Sequence, residues 1–179
     1  MENKFETATF GSGCFWCTEA IFSKLKGVIK TTSGYSGGKM ENPDYKSVCT
    51  GNTGHAEVNQ IIYDPSIISY TELLEVFWST HNPTTMNRQG NDIGTQYRSV
   101  IFFHTEAQKQ IAMNYKKQLE ESKLFKAPIV TSIEPLKNFY PAEAYHNNYH
   151  ELNPNTGYCQ NVVTPKVEKF KKHFSEKLK

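Results

Sequence analysis

Apolar side chains recur along this chain in two periods, and the switches between them mark its elements. Positions 4–10 fit a strand, which Gly11-Ser12-Gly13 ends. Positions 15–26 carry Ala20, Phe22 and Leu25 at helical spacing, with Gly27 as the stop, so Cys14 stands at a helix entrance. A strand is expected over 28–35, running into Ser36-Gly37-Gly38. The next, over 55–63, alternates Glu57, Asn59, Ile61 and Tyr63 against Ala56, Val58, Gln60 and Ile62. Glu57 thereby shares a face with bulky residues, which implies partial burial of its carboxyl group.

Ser69 and Glu72 form a capping box before Leu73, Leu74, Phe77 and Trp78, and Asn82-Pro83 stops that helix. A strand follows over 96–103. Thr105 and Gln108 then open a helix bearing Ile111, Tyr115 and Leu119, and another strand is expected over 129–135. A short helix follows Pro141, an irregular stretch covers 153–159, and Thr164-Pro165 begins a terminal helix. Intermixed strands and helices predict an α+β fold, a two-layer sandwich of a mixed β-sheet with helices packed around it and an irregular C-terminal segment. The 179 residues hold no repeat or linker, so one domain over 1–179 is expected.

Composition narrows the classes. Twenty basic and eighteen acidic side chains leave a charge of +2, too weak a field to hold nucleic acid or an anionic membrane. Val167, Phe170, Phe174 and Leu178 make the Lys-rich end an amphipathic helix rather than a basic tail. The amino end, 1–10, has no leader-like apolar run, and no stretch is long enough to span a bilayer, so a cytoplasmic protein is expected. Four unevenly spaced cysteines point to catalytic or redox use in a reducing compartment rather than to a disulfide scaffold.

The richest stretch is Gly11-Ser12-Gly13-Cys14-Phe15-Trp16-Cys17. It places a thiol where free amides of a helix start stabilise a thiolate, beside rings able to wall a small alkyl group. The spacing of Cys14 and Cys17 also fits a thioredoxin-type dithiol or half a zinc site. The second is weaker, because no other such pair occurs and the histidines are scattered. His146 and His150, four apart without an intervening HExxH glutamate, read as helix-surface side chains. No metal or cofactor is expected. Cys49 reads as structural, Trp78 as core, and Met40, Met86 and Met113 as packing or surface residues.

Gly13-Cys14-Phe15-Trp16-Cys17, Gly34-Tyr35-Ser36-Gly37-Gly38, Asn42-Pro43 with Tyr45, Gly54-His55-Ala56-Glu57 and the run Gly90 to Ser99 closely resemble the peptide methionine sulfoxide reductase A family, over nearly the whole chain. The resemblance implies reduction of methionine S-sulfoxide, free or in proteins, without a cofactor. It assigns Cys14 as nucleophile, Phe15 and Trp16 as the methyl pocket, and Glu57, Tyr45 and Tyr97 as the groups around the sulfoxide oxygen, with Asp92 a further pocket position. It also implies thioredoxin as reductant; the working unit is expected to be a monomer.

These residue types suit the reaction. A sulfoxide sulfur is a poor electrophile until its oxygen is protonated or hydrogen-bonded, so a thiolate and an acid must face it from two sides. The resulting sulfenic acid needs a resolving thiol. Cys159, on a segment expected to be mobile, matches a recycling position and is favoured; closure onto Cys17 is the other scheme. The chain departs from relatives with two terminal cysteines and from those with glycine in place of Cys17. A general dithiol oxidoreductase and a non-catalytic reader of oxidised methionine are the competing functions.

Overall fold

The computed structural model describes residues 4–179; the first three, part of the amino end and of the domain span read above, lie outside the described residues. In chain order the elements are β1 (Glu6–Ser12), α1 (Phe15–Phe22), β2 (Val28–Ser36), α2 (Tyr45–Cys49), β3 (Ala56–Tyr63), α3 (Tyr70–Ser79), β4 (Arg88–Gln89) and β5 (Asp92–Ile93). They continue with β6 (Ser99–Phe103), α4 (Glu106–Ser122), β7 (Ser132–Pro135), β8 (Tyr140–Pro141), α5 (Tyr149–Leu152) and α6 (Thr164–His173). Six strands form one sheet in the order β7-β6-β1-β3-β2-β8. Among the described residues only β6 and β7 run parallel, so the sheet is mixed, as the alternation of hairpin and crossover lengths implied.

The period-two pattern of β3 decides the layers. Ile61 and Tyr63 join Phe10 in a core with Phe22 of α1, Leu73 and Phe77 of α3, Ala112 of α4, and Val167 and Phe170 of α6. Ala56 and Val58 face the other way, beside Val100 and Phe102, and Leu136 and Phe139 close over them. Glu57 lies on the helix side and is 1% exposed, a deeper burial than alternation alone indicated. Both caps form: Ser69 Oγ accepts from the Glu72 amide at 3.1 Å and Thr105 Oγ1 from the Gln108 amide at 3.1 Å. The Gln108 side chain accepts from His104 N instead of closing the box.

Three expectations change. Helix α1 stops at Phe22, because the following backbone pairs with the chain end: Lys26 N donates to Lys177 O and Lys179 N to Lys24 O. The strand expected over 96–103 begins only at Ser99, since 95–97 form a 3-10 turn. Irregular backbone near the C-terminus is confined to 153–156; Cys159 opens a π-helical turn continuous with α6 and is fully buried, so it sits on no loose arm. No helix among the described residues is long and apolar enough to cross a membrane.

Candidate active site

Cys14 is the N-cap of α1, delivered there by the end of central strand β1. Gly13 makes the junction possible. Its φ is +100°, and a Cβ there would lie 2.7 Å from the Gln89 side chain. Gln89 in turn is locked to Asn82, accepting from its amide and donating to its carbonyl at 2.9 Å each. The short β4–β5 hairpin that carries Asp92 is thereby fixed against the thiol-bearing turn.

Glu57 reaches the same turn from β3. Its Oε1 accepts the Phe15 amide at 3.2 Å, while Oε2 is buried with no partner. Burial pushes this carboxyl group up to about 8, against the Phe15 hydrogen bond that pulls it down; Asp92 and Cys17 add to the rise. At neutral pH it is mostly a protonated acid, with one oxygen uncommitted.

The helix start therefore treats its thiol differently from the expectation. Its first amide is spent on Glu57, and Cys14 itself is 7% exposed. Burial, a hydrogen bond to Cys17 and the neighbouring Glu57 hold the Cys14 thiol well above its ordinary value, so it rests protonated rather than as a thiolate. Cys17, one turn on, is lowered chiefly by accepting that bond. Of these two neighbouring thiols Cys17 is therefore the one that gives up its proton the more readily.

Tyr45 and Tyr97 complete the acid side. Asp44 and Ser47 cap α2 reciprocally, and Glu143 Oε2 accepts the Tyr45 amide at 3.0 Å while its Oε1 accepts the Tyr35 hydroxyl at 3.0 Å. Tyr97 sits on the 3-10 turn that Arg98 ties down by donating to Thr95 O and Gly54 O. Both phenols are raised by burial and then by Glu57, so both remain hydroxyl donors beside the acid. Phe15, Trp16 and Tyr45 form an aromatic cup: the Phe15 and Trp16 ring centroids each lie 6.3 Å from that of Tyr45. A wall of aromatic rings beside a thiol, a neutral acid and two phenols has the chemistry to take a methyl group and withdraw oxygen from its sulfur.

A family model described as peptide methionine sulfoxide reductase matches residues 6–178. The chain belongs to that family. It is 55% identical to the peptide methionine sulfoxide reductase MsrA of Sulfolobus acidocaldarius, over 96% of this chain and 97% of that one. Among solved structures, reduced Mxr1 from Saccharomyces cerevisiae superposes with a TM-score of 0.82 at 38% identity, covering 87% of this chain and 90% of that one. The structure of Mxr1 in complex with Trx2 superposes at 0.58 and 29% identity, over 82% and 85% of the two chains. As a member of this reductase family the chain is an oxidoreductase.

Within the family's frame the fold gathers Cys14, Cys17, Phe15, Trp16, Tyr45, Glu57, Asp92 and Tyr97 at one place. Cys159 lies in the same core as Cys14 and Cys17, its amide donating to Thr156 Oγ1. Two side chains escaped the sequence. Tyr158 donates to Asp92 Oδ2 at 2.5 Å, reaches both Cys14 and Cys17, and sets its ring edge-on to Trp16. His146, expected on a helix surface, is fully buried and its Nδ1 accepts the Trp16 indole N–H at 3.0 Å. Neither lies in a regular apolar period; the Gly157-Tyr158-Cys159 run was the one available signal for the first. Cys49 is exposed, not a buried structural thiol, and meets the Tyr45 hydroxyl. No cluster of three or more His, Cys, Asp or Glu side chains able to hold a metal occurs among the described residues.

Proposed function

We propose that the cup binds the methyl sulfoxide group of oxidised methionine, of the S epimer at sulfur, and that Cys14 removes its oxygen. The observation that carries this reading is the buried, protonated Glu57 with a free Oε2, set beside the nucleophilic turn it caps. Glu57 supplies a proton to the sulfoxide oxygen, and the Tyr45 and Tyr97 hydroxyls hold that oxygen as charge develops on it. Cys14 gives up its thiol proton toward Cys17 as its sulfur attacks. Oxygen passes to Cys14, methionine leaves, and a sulfenic acid remains. Asp92 and Tyr158 brace the open side of the pocket.

The Cys17 sulfur then attacks the Cys14 sulfenic acid, forming a disulfide and releasing water. Cys17 stands one turn from Cys14 on the same helix, which favours it as first resolver, whereas Cys159 is buried on the π-helical turn ahead of α6. Cys159 acts afterwards, exchanging with that disulfide to carry the oxidising equivalents outward. The complex of Mxr1 with Trx2 supports thioredoxin as the final reductant. All four cysteines are free thiols, which suits the reducing cytosol we assign, and one chain holds every group named, which fits a monomer.

The test is an epimer-resolved assay on free and peptide-bound methionine sulfoxide with a chemical dithiol. The wild type consumes the S epimer alone, and Cys14→Ser consumes neither while keeping its fold. Reduction of insulin without sulfoxide turnover would instead make the chain a general dithiol oxidoreductase. Stoichiometric binding without turnover would make it a reader of oxidised methionine.

A further inference from the structure

We propose that Glu19 is a positioning residue for the cup: from α1 it holds the 147–149 turn in place, and with it the Tyr149 ring on which Trp16 stacks. Glu19 is 3% exposed and takes no part in the chemistry assigned above. A carboxyl group is rarely buried to that depth unless partners hold it there. Its Oε1 accepts the Asn148 amide, the Tyr149 amide also donates to it, and its Oε2 accepts the Ser33 hydroxyl at 3.2 Å. Ser33, fully buried on β2, accepts in turn from Asn59 Nδ2 at 3.0 Å, and its own amide donates to Asn147 Oδ1 at 3.2 Å.

The turn needs such an anchor. Asn148 has φ +57°, a left-handed conformation uncommon for a residue with a side chain, and α5, which it opens, has no side-chain cap of its own. The free amides at the start of that helix are therefore met by a carboxyl group from another element. Trp16 stands three residues before Glu19, so the two share one side of α1. Tyr149 lies flat on the Trp16 indole, with centroids 3.8 Å apart and planes at 7°. The turn is thus gripped by α1 at two points one helical turn apart, through its backbone by Glu19 and through a ring by Trp16. Removing the carboxyl group releases the backbone of 148–149, the Tyr149 ring loses its fixed place, and the Trp16 wall of the methyl pocket loosens. Cys14 and Glu57 are untouched by that change, so its cost falls on substrate binding rather than on the chemical step.

This inference rests on the sulfoxide-pocket reading, and its test separates the two. Turnover of methionine S-sulfoxide with a chemical dithiol is measured for the wild type, Glu19→Ala, Glu19→Asp and Glu19→Gln. Unfolded enzyme lowers apparent kcat and leaves KM alone, so KM distinguishes positioning from mere stability. Glu19→Ala should raise KM roughly fivefold to tenfold with kcat per folded molecule nearly kept. Glu19→Asp, whose oxygens are drawn back by one methylene, should move KM the same way and decides the matter if the alanine protein fails to fold. Glu19→Gln keeps an oxygen for the Asn148 amide and should recover most of the affinity. In a Trp78→Phe background, which leaves Trp16 as the single indole, Glu19→Ala and Glu19→Asp should red-shift the emission and increase its quenching by acrylamide, and Glu19→Gln should do neither. A wild-type KM in folded Glu19→Ala or Glu19→Asp, or a raised KM with Trp16 emission unmoved, overturns the assignment while sulfoxide turnover by the wild type leaves the main reading standing. Absence of that turnover removes the main reading instead.

Discussion

Replacing Glu57 by Gln is expected to push activity and stability in opposite directions. The carboxyl group is 1% exposed and lifted to about 8 from an ordinary 4.5 by burial. Its folded-state value is raised, so the fold is most stable below pH 4.5, where the group is protonated in both states. Stability is lost progressively as pH rises toward 8 and is level above it. The interval between 4.5 and about 8 corresponds to on the order of 5 kcal/mol. Gln cannot ionise, keeps an oxygen for the Phe15 amide, and offers an N–H where the acid had its proton. Urea denaturation of both proteins from pH 4 to 9 should give matching stabilities at the acid end and a growing advantage for Glu57→Gln toward pH 8.

Turnover tells the other half. Wild-type kcat/KM should fall above pH 8 as the acid ionises, and Glu57→Gln should lose that alkaline limb along with roughly tenfold in rate. Glu57→Ala, which also strands the Phe15 amide, should lose on the order of a thousandfold. A stability difference independent of pH would mean that Glu57 is ionised in the fold. Equal, near-complete loss of activity in Gln and Ala variants would remove its role as hydrogen-bond donor.

Peptide mapping after one turnover in Cys159→Ser should find a Cys14–Cys17 disulfide; a persistent sulfenic acid on Cys14 would make Cys159 the first resolver. Gly13→Ala forces a side chain onto φ +100° and against Gln89, so thermal unfolding should show a loss of about 1–3 kcal/mol together with reduced turnover. Ser69→Ala removes the cap of α3, remote from the cup, and should cost about 1 kcal/mol in denaturation with kcat unchanged. Tyr158→Phe, which frees Asp92 and withdraws a hydroxyl from both thiols, should lower kcat/KM and move the alkylation pH profile of Cys14; an unmoved profile would confine Tyr158 to packing.

What the sequence by itself determined is whatever local periodicity and short-range chemistry encode. Alternation set the faces of β3 and hence the side on which Glu57 is buried. Ser69 and Thr105 announced their helices because a cap bonds within three residues of itself. The glycine turn ahead of Cys14 announced a helix entrance for the same reason. The tertiary structure alone decided the state of the thiol, since the first amide of α1 is taken by a carboxyl group 42 residues away in sequence. It likewise decided that α1 ends at Phe22, that Cys159 is enclosed, and that Tyr158 and His146 belong to the cup. Each of those outcomes depends on a partner far away in sequence or on which side of a core a turn lands, and no local pattern carries that information.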